Sequence, residues 1–217
     1  MRILEQLQNN KGTVSSALGK ALAQDVLNGE ASILDEAITL CSYMAADKKQ
    51  KSIRAGAAKV VEIVAMKQPE LVADRLNDLL PAFAVAEPQT RWMLLRTFEF
   101  CAPLNLADAE RALPYAKQAL SQRQGLCLSS SAVLYLGALG AQNMALAKTV
   151  LPLINKEAQD PIKNEEDWIL EAYITTAHNL TGNALDSAAK FASECATMPR
   201  KATVKRADKL LDAIKKS

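Results

Sequence analysis

The sequence predicts an all-α protein built from about five repeated helix pairs behind an N-terminal cap. Composition is the first observation that supports this. Of the 217 residues, 49% are hydrophobic but only 5% are aromatic, so the apolar mass is mostly Ala, Leu, Val and Ile. Ala and Leu are strong helix formers. Eight glycines and the lack of strand-like alternation argue against a β protein.

The second observation is a proline that recurs inside an apolar helical pattern. It stands in three short phrases: Leu79-Leu80-Pro81-Ala82-Phe83, Ala112-Leu113-Pro114-Tyr115-Ala116 and Val150-Leu151-Pro152-Leu153-Ile154. The prolines are 33 and 38 residues apart. Because a proline removes one backbone donor and clashes with the preceding turn, each is predicted to bend the first helix of a pair. A nearly constant period of this length indicates stacked repeats.

The third observation is a gapless match between two predicted second helices, residues 53–62 and 90–99. Three charged positions correspond at a spacing of 37 residues, namely Arg54 with Arg91, Lys59 with Arg96, and Glu62 with Glu99. The equivalent of the leading arginine in pair three is predicted at Ser130 or Ser131, and pair four offers Asp167. The register of the repeat is therefore fixed independently of the prolines.

Helix-capping signals place the elements in order. In the cap, Gly12-Thr13 breaks a short amphipathic helix, and Thr13 caps a second helix that ends at Leu27. Ser32 is the expected N-cap of pair one, and Asn105 that of pair three. The first helices start near residues 31, 69, 107, 142 and 184, at intervals of 38, 38, 35 and 42 residues. Such intervals lie in or near the range of helical repeats.

No low-complexity linker divides the chain, which is therefore predicted to form one domain over residues 1–217. Residues 1–29 are the N-terminal cap, 30–196 the repeats, and 197–217 a basic capping helix. Residues 200–216 carry seven basic and two acidic residues, whereas the remainder carries 19 basic and 22 acidic residues. Apolar residues recur through the last helix at spacings of three and four, and the opposite face is polar, as a terminal repeat requires.

With its bent first helix and Arg-led, Ala-rich second helix, the chain resembles the HEAT/armadillo-like helical repeat family over roughly residues 30–196. The resemblance implies a right-handed α-α superhelix whose second helices line the concave side. It therefore implies a charged strip along an inner groove, where the candidate partner-binding residues are Arg54, Lys59, Glu62, Arg91, Arg96 and Glu99. For Arg54 and Arg91 an internal role, tying one repeat to the next through Asp47 and Glu87, is the open alternative. Lys59 and Arg96 are expected to face solvent.

The sequence offers little catalytic or metal-binding chemistry. The four cysteines, Cys41, Cys101, Cys127 and Cys195, are isolated in apolar stretches and are expected to be buried, free thiols of a reducing compartment, the cytoplasm. His178 is the only histidine, so no zinc-type cluster can assemble, and a structural or surface role is expected. No metal and no cofactor are predicted.

Two other features have ordinary structural explanations. Residues 124–147 form an uncharged stretch of 24 residues, but their serines and a Gly-Ala interruption favour a buried helix and a turn over a membrane span. The cluster Glu165, Glu166 and Asp167 is expected in the first turn of a helix, where the exposed backbone N–H groups stabilise negative charge.

The primary functional hypothesis is a non-enzymatic scaffold that binds a protein partner through its concave face. The alternative is a nucleic-acid-binding relative of the HEAT-like alkylpurine DNA glycosylases, which use an aromatic residue and a carboxylate in a concave cleft. Trp168 and Glu171 would be that pair, with Trp168 expected instead in the core. Because phosphate contacts dominate DNA affinity, the slightly acidic body of the chain disfavours the alternative.

Overall fold

A computed structural model of the protein describes residues 2–10 and 17–216, and over these residues the chain forms α-helices and short 3-10 turns without a strand. The helices are α1 (Arg2–Asn9), α2 (Ala17–Leu27), α3 (Ala31–Leu40), α4 (Lys51–Lys67), α5 (Leu76–Leu79), α6 (Pro88–Cys101), α7 (Leu106–Glu110), α8 (Leu113–Gln122), α9 (Leu126–Gln142), α10 (Met144–Gln159), α11 (Glu166–Thr176), α12 (Gly182–Cys195) and α13 (Lys201–Lys216). The all-α prediction is confirmed.

The chain divides into two compact units, Met1–Ala112 and Leu113–Ser217. In the first unit α4 packs against α2, α3 and α6. In the second unit α9 packs against α8, α10 and α11, and α13 packs against α11 and α12. The division falls between α7 and α8, inside the first helix predicted for pair three. The single-domain organisation stays a prediction.

The three repeated prolines occupy three different settings. Pro81 lies in a 3-10 turn, Leu80–Ala84, that follows the short helix α5. Pro114 is the second residue of α8, and only Pro152 lies inside a continuous helix, α10. The predicted bend of a continuous helix is therefore wrong for Pro81 and Pro114. Since proline has no N–H to donate, it is well tolerated where a helical segment begins, and the chain breaks the helix there instead.

The predicted helix caps are partly correct. Asn105 caps α7, because its side chain accepts a hydrogen bond from the Asp108 N–H at 3.2 Å. Ser32 is not the cap of α3, which begins one residue earlier, after Glu30. The predicted break and cap at Gly12 and Thr13 lie outside the described residues. A short polar side chain therefore identified the start of α7 but not that of α3.

The uncharged stretch forms the buried centre of the second unit. Every residue of α9 from Leu128 to Gly140 is buried. Glycine allows close packing here, because a Cβ at Gly137 would lie 2.8 Å from the Ala172 Cα on α11. Across the described residues, no helix is both long and apolar enough to traverse a membrane.

Three of the four cysteines are buried as expected. Burial raises the pKa of Cys101 and Cys195 to about 12, and it raises the pKa of Cys41 as well, so these thiols stay protonated. Cys127 is exposed, which corrects the prediction for this residue. It is the second residue of α9, and burial of this helix begins only at Leu128.

Gly137→Ala should lower the stability of the protein by about 1–3 kcal/mol, since the added methyl group meets backbone atoms of Ala172 that cannot rotate away. Gly56→Ala is the matched control on α4. Its methyl group meets the end of the Leu7 side chain, which can move, and alanine favours the helix. Urea unfolding of the two variants measures the difference. Equal loss of stability in both would contradict the close packing of α9 on α11.

A buried carboxylate in α10 gives a pH-dependent contribution to stability. Glu157 is 5% exposed, and its Oε2 has no hydrogen-bond partner in the described parts of the chain. Burial raises its pKa, and the nearby charge of Glu165 raises it further. Because folding favours the protonated form, the stabilising contribution is full below the ordinary glutamate pKa. It is lost as the pH rises through the raised value.

Glu157→Gln should therefore raise the free energy of unfolding at pH 7 by about 1 kcal/mol, because no buried charge remains to be desolvated. The gain should shrink as the pH is lowered through the raised pKa of Glu157, and it should be gone below the ordinary glutamate pKa. Urea titrations at several pH values measure both effects. Glu166→Gln, on a less buried glutamate of the same unit, is the control. A loss of stability at pH 7 in Glu157→Gln would show that the carboxylate is satisfied.

Candidate functional site

Four charged residues on α4 and α6 form two matching ion pairs in the first unit. The Lys59 Nζ lies 2.6 Å from the Glu62 Oε2, and the Arg96 guanidinium lies 2.5 Å from the Glu99 carboxylate. The partners in each pair are three residues apart, so each pair forms along one helix face. We call these four residues the charged strip.

Two aromatic rings lie beside the cations of the charged strip. The Lys59 Nζ is 5.4 Å from the centre of the Trp92 ring, and the Arg96 Cζ is 4.6 Å from the centre of the Phe100 ring. Cations at this distance are attracted to the ring face. Sequence analysis missed both rings. The available signal was their spacing, because Trp92 and Phe100 stand four residues on either side of Arg96, which places all three on one helix face.

The charged strip is partly open to solvent. The side chains of Lys59 and Arg96 are 24% and 22% exposed, whereas those of Glu62 and Glu99 are 10% and 16% exposed. The Lys59 stem also lies against α2, where a Cβ at Gly19 would be 3.5 Å from the Lys59 Cγ. The cations are therefore the more exposed members of the charged strip, and the carboxylates that pair with them are the more buried ones.

Arg54 is an internal residue, 1% exposed. Its Nε and Nη2 donate to the two carboxylate oxygens of Glu87, at 2.6 and 3.0 Å. Its Nη1 donates to three backbone carbonyls, each at 3.0 Å, those of Tyr43, Met44 and Asp47. A side chain with this many internal partners cannot also reach a partner protein. The internal alternative therefore describes Arg54, which leaves the candidate binding set.

Arg91 is also buried, with an exposed fraction of 9%. Its Nη2 donates to the Ala86 carbonyl at 3.4 Å. Burial lowers the pKa of the guanidinium, and the nearby charge of Glu87 opposes this shift. Arg91 is therefore placed like Arg54, inside the first unit rather than on the charged strip.

The second unit places a serine where α4 and α6 place their leading arginines. Arg54, Arg91 and Ser129 are each the fourth residue of their helix, so the predicted register of Ser130 or Ser131 is wrong by one or two residues. The Ser129 hydroxyl donates to the Glu165 Oε1, and both side chains are fully buried. Glu165 thus occupies the position before α11 that Glu87 occupies before α6.

The remaining carboxylates of the acidic cluster are more than helix-capping charges. Asp167 is buried and accepts a hydrogen bond from the Thr203 hydroxyl at 2.6 Å. Arg200 and Arg206 lie 3.1 and 3.4 Å from its Oδ2. Glu165 also accepts from the Ile162 N–H at 2.8 Å. Among the described residues, no group of three or more His, Cys, Asp and Glu side chains could hold a metal ion.

Trp168 and Glu171 do not form the isolated pair that the alternative function requires. Trp168 is 40% exposed, so its predicted place in the core is wrong. Glu171 lies 3.6 Å from Arg206 and 3.9 Å from Lys209, both on α13. His178 is exposed, and its Nε2 lies 3.0 Å from the Ala141 carbonyl, which gives it a structural contact on the surface.

No protein-family model matches the sequence, and no curated protein matches it. Among solved structures the chain is similar to a designed armadillo repeat protein, YIII(Dq)4CqI. The TM-score is 0.57 at 13% sequence identity, over 98% of this chain and 99% of that chain. The fold is armadillo-like. The predicted HEAT/armadillo-like, solenoid-like fold class is confirmed.

An armadillo-like repeat accounts for the broken first helices. Repeats of this class contain two or three helices, and the three-helix form splits the first helix of a pair into two segments. Such a split is seen between α7 and α8, where Pro114 begins the second segment. The helix period of the sequence thus identified the repeat, while Pro81 and Pro114 mark segment starts and only Pro152 lies within a continuous helix.

Replacing Arg54 with Met should destabilise the protein by about 3–5 kcal/mol, because Glu87 and three carbonyls would lose their buried partner. Arg96→Met on the partly exposed ion pair should cost about 1 kcal/mol or less. Urea unfolding at neutral pH compares the two variants. Similar small losses for both would show that Arg54 is not a structural tie.

Proposed function

We propose that this protein is a non-enzymatic scaffold that binds a partner protein through the charged strip and its two flanking aromatic rings. Armadillo-like repeat folds are commonly used for binding. The observation that carries the proposal is the repeated arrangement on α4 and α6, in which a partly exposed cation is held by a glutamate and lies beside an aromatic ring. Trp92, Phe100 and Arg96 are of the residue types that are enriched at protein interfaces.

The internal ion pairs favour binding because they fix the cations before a partner arrives. A lysine or arginine that is already held in one orientation loses less side-chain entropy on binding than a free one. Glu62 and Glu99 hold Lys59 and Arg96 in this way. The charged strip therefore presents alternating charges, and its side chains need little rearrangement when a partner binds.

The composition of the charged strip supports binding rather than catalysis. The charged strip consists of two cations and the two carboxylates paired to them, and two aromatic rings flank it. A glutamate or lysine that acts as a general acid, base or nucleophile has to reach the substrate, whereas each carboxylate here is already paired with the cation beside it. We therefore propose a partner surface that carries both signs of charge and apolar groups that can cover Trp92 and Phe100.

The exposed ring of Trp168 is the observation that keeps nucleic acid as a second candidate partner. Single-stranded or flipped bases stack on exposed aromatic side chains. Glu171, the proposed catalytic carboxylate of that alternative, is tied to two cations of α13. A nucleic-acid function would therefore be expected to use Trp168 for stacking without Glu171 as a free acid.

Exchanging the charges of the strip tests the proposed function. The variant Lys59→Glu, Glu62→Lys, Arg96→Glu, Glu99→Arg keeps both ion pairs and the net charge but reverses the pattern. This variant should no longer retain the partner proteins that the wild-type chain binds from a cell extract. Quantitative mass spectrometry measures the retained amount of each protein. The loss should be about tenfold or more for a direct partner, since complementary charges across an interface become like charges.

The matched control exchanges Asp212 and Lys215, an exposed pair three residues apart on α13. Both variants are first compared by circular dichroism and urea unfolding to show that each is folded. Retention that is unchanged in the strip variant, or equally lost in the control, would overturn the proposal. Affinity for duplex DNA that falls steeply with salt and survives the charge exchange would favour the nucleic-acid alternative.

A further inference from the structure

The two helices that carry the charged strip, α4 and α6, run side by side in the same direction. Near the start of α4, Arg54 binds Glu87, which immediately precedes α6. At the other end, the Sγ of Cys101, the last residue of α6, donates to the Pro69 carbonyl just beyond α4, at 3.7 Å. Because the starts of the two helices adjoin each other and their ends do too, the helices are parallel.

On these parallel helices the charges of the strip fall into two rows. Lys59 and Arg96 form a cation row, because each is the ninth residue of its helix. Glu62 and Glu99 form a carboxylate row. Each carboxylate follows its cation by three residues, so the carboxylate row lies about 4.5 Å further along both helices. The charged strip therefore carries two charges of each sign and no net charge.

Little else of α4 and α6 reaches solvent beside the strip. Between residues 53 and 65, Lys59 is the one residue of α4 that is not buried. Between residues 91 and 101, the residues of α6 that are not buried are Trp92, Arg96, Glu99 and Phe100. A molecule that binds to this surface therefore meets the two rows of charge and the two rings together.

The arrangement of the two rows makes the charged strip complementary to itself. A two-fold axis that crosses both helices between the rows places the cation row of each copy opposite the carboxylate row of the other. No like charges then face each other. Two-fold interfaces use the same patch on both molecules, so such a patch has to be self-complementary. The chain itself therefore supplies the complementary charges that fix the choice of a partner.

The same two-fold axis brings the aromatic rings of the two copies together. It crosses α6 midway between Arg96 and Glu99, so Phe100 of one copy lies about 5 Å along the helix axis from Trp92 of the other copy. Aromatic rings at such separations attract each other. A second copy therefore provides charges of both signs together with apolar groups that cover the rings.

We propose that the charged strip of one molecule binds the charged strip of a second copy of this chain, which gives a two-fold dimer. The inference rests on the proposed function, because both use the same surface, and it names what covers that surface when no partner protein is bound. Four charged side chains and two rings are far fewer than the roughly 20–30 residues per molecule of a standard interface, so the dimer is reversible and a partner protein can displace it.

Two variants of the full chain with opposite charge test the dimer by sedimentation velocity over a range of concentrations. Lys59→Glu with Arg96→Glu makes both rows acidic, and Glu62→Lys with Glu99→Lys makes both rows basic. The wild-type chain should form dimers, and the dissociation constant of each variant alone should rise about tenfold or more, because like charges then face each other. An equimolar mixture of the two variants should restore the dimer, which also shows that both are folded.

Lys215→Glu with Lys216→Glu, at exposed positions of α13, is the matched control for the acidic variant. It changes the net charge by the same amount and should dimerise like the wild-type chain. A wild-type chain that stays monomeric up to sub-millimolar concentration would overturn the proposal. Variants that each dimerise alone as well as the wild-type chain, or a control that loses the dimer equally, would also overturn it.

The charge-exchanged strip variant separates this inference from the proposed function. Its two rows still differ in sign and its ion pairs are kept, so it should dimerise with itself. It should not form mixed dimers with the wild-type chain, because like charges would then meet. Energy transfer between chains labelled at the exposed Cys127 measures this. Mixed dimers as abundant as random exchange gives would overturn the dimer. Predicted dimerisation together with unchanged retention of partner proteins would overturn the proposed function alone.

Discussion

A buried helix end must find partners for its backbone groups, and neighbouring repeats supply them in this protein. Arg54 is the clearest case. Three of its hydrogen bonds go to carbonyls that follow α3, and two go to the carboxylate that precedes α6. One side chain therefore ends one helix and fixes the start of another 33 residues later. Without such ties the repeats would have apolar packing but no defined register.

The same constraint is met by different chemistry elsewhere in each unit. Glu36 accepts hydrogen bonds from the first N–H groups of α1, and Asn105 donates to the Ala73 carbonyl. In the second unit the ties at similar spacing join side chains to each other rather than to backbone groups, Ser129 to Glu165 and Thr203 to Asp167. These contacts join residues 32 to 36 positions apart, close to the repeat length. The spacing of these contacts therefore repeats along the chain, whereas the types of residue that make them do not.

Periodicity explains how much of this could be predicted. The helix class and the repeat length follow from charges and apolar residues that recur at fixed spacing. The Arg54–Glu87 tie was one of two open alternatives, because spacing alone does not show whether an arginine faces inward. Ser129 was misplaced because a serine in a run of three carries no register of its own. The exposure of Cys127 and Trp168 depends on which side of a first turn is covered, and local sequence does not encode that. The aromatic rings of the charged strip have no counterpart at the matching positions of α4.

The surfaces of the two units differ for a reason that lies in helix packing. On α9 the positions equivalent to Lys59 and Glu62 are Leu134 and Gly137, which are buried. Gly137 serves the close approach of α11, so the second unit has no room for charged side chains on that face. Polar side chains lie instead between α10 and α12, among them Asn155, whose Oδ1 accepts a hydrogen bond from the Tyr173 hydroxyl. One repeat architecture thus yields a charged surface in one unit and an amide-lined groove in the other.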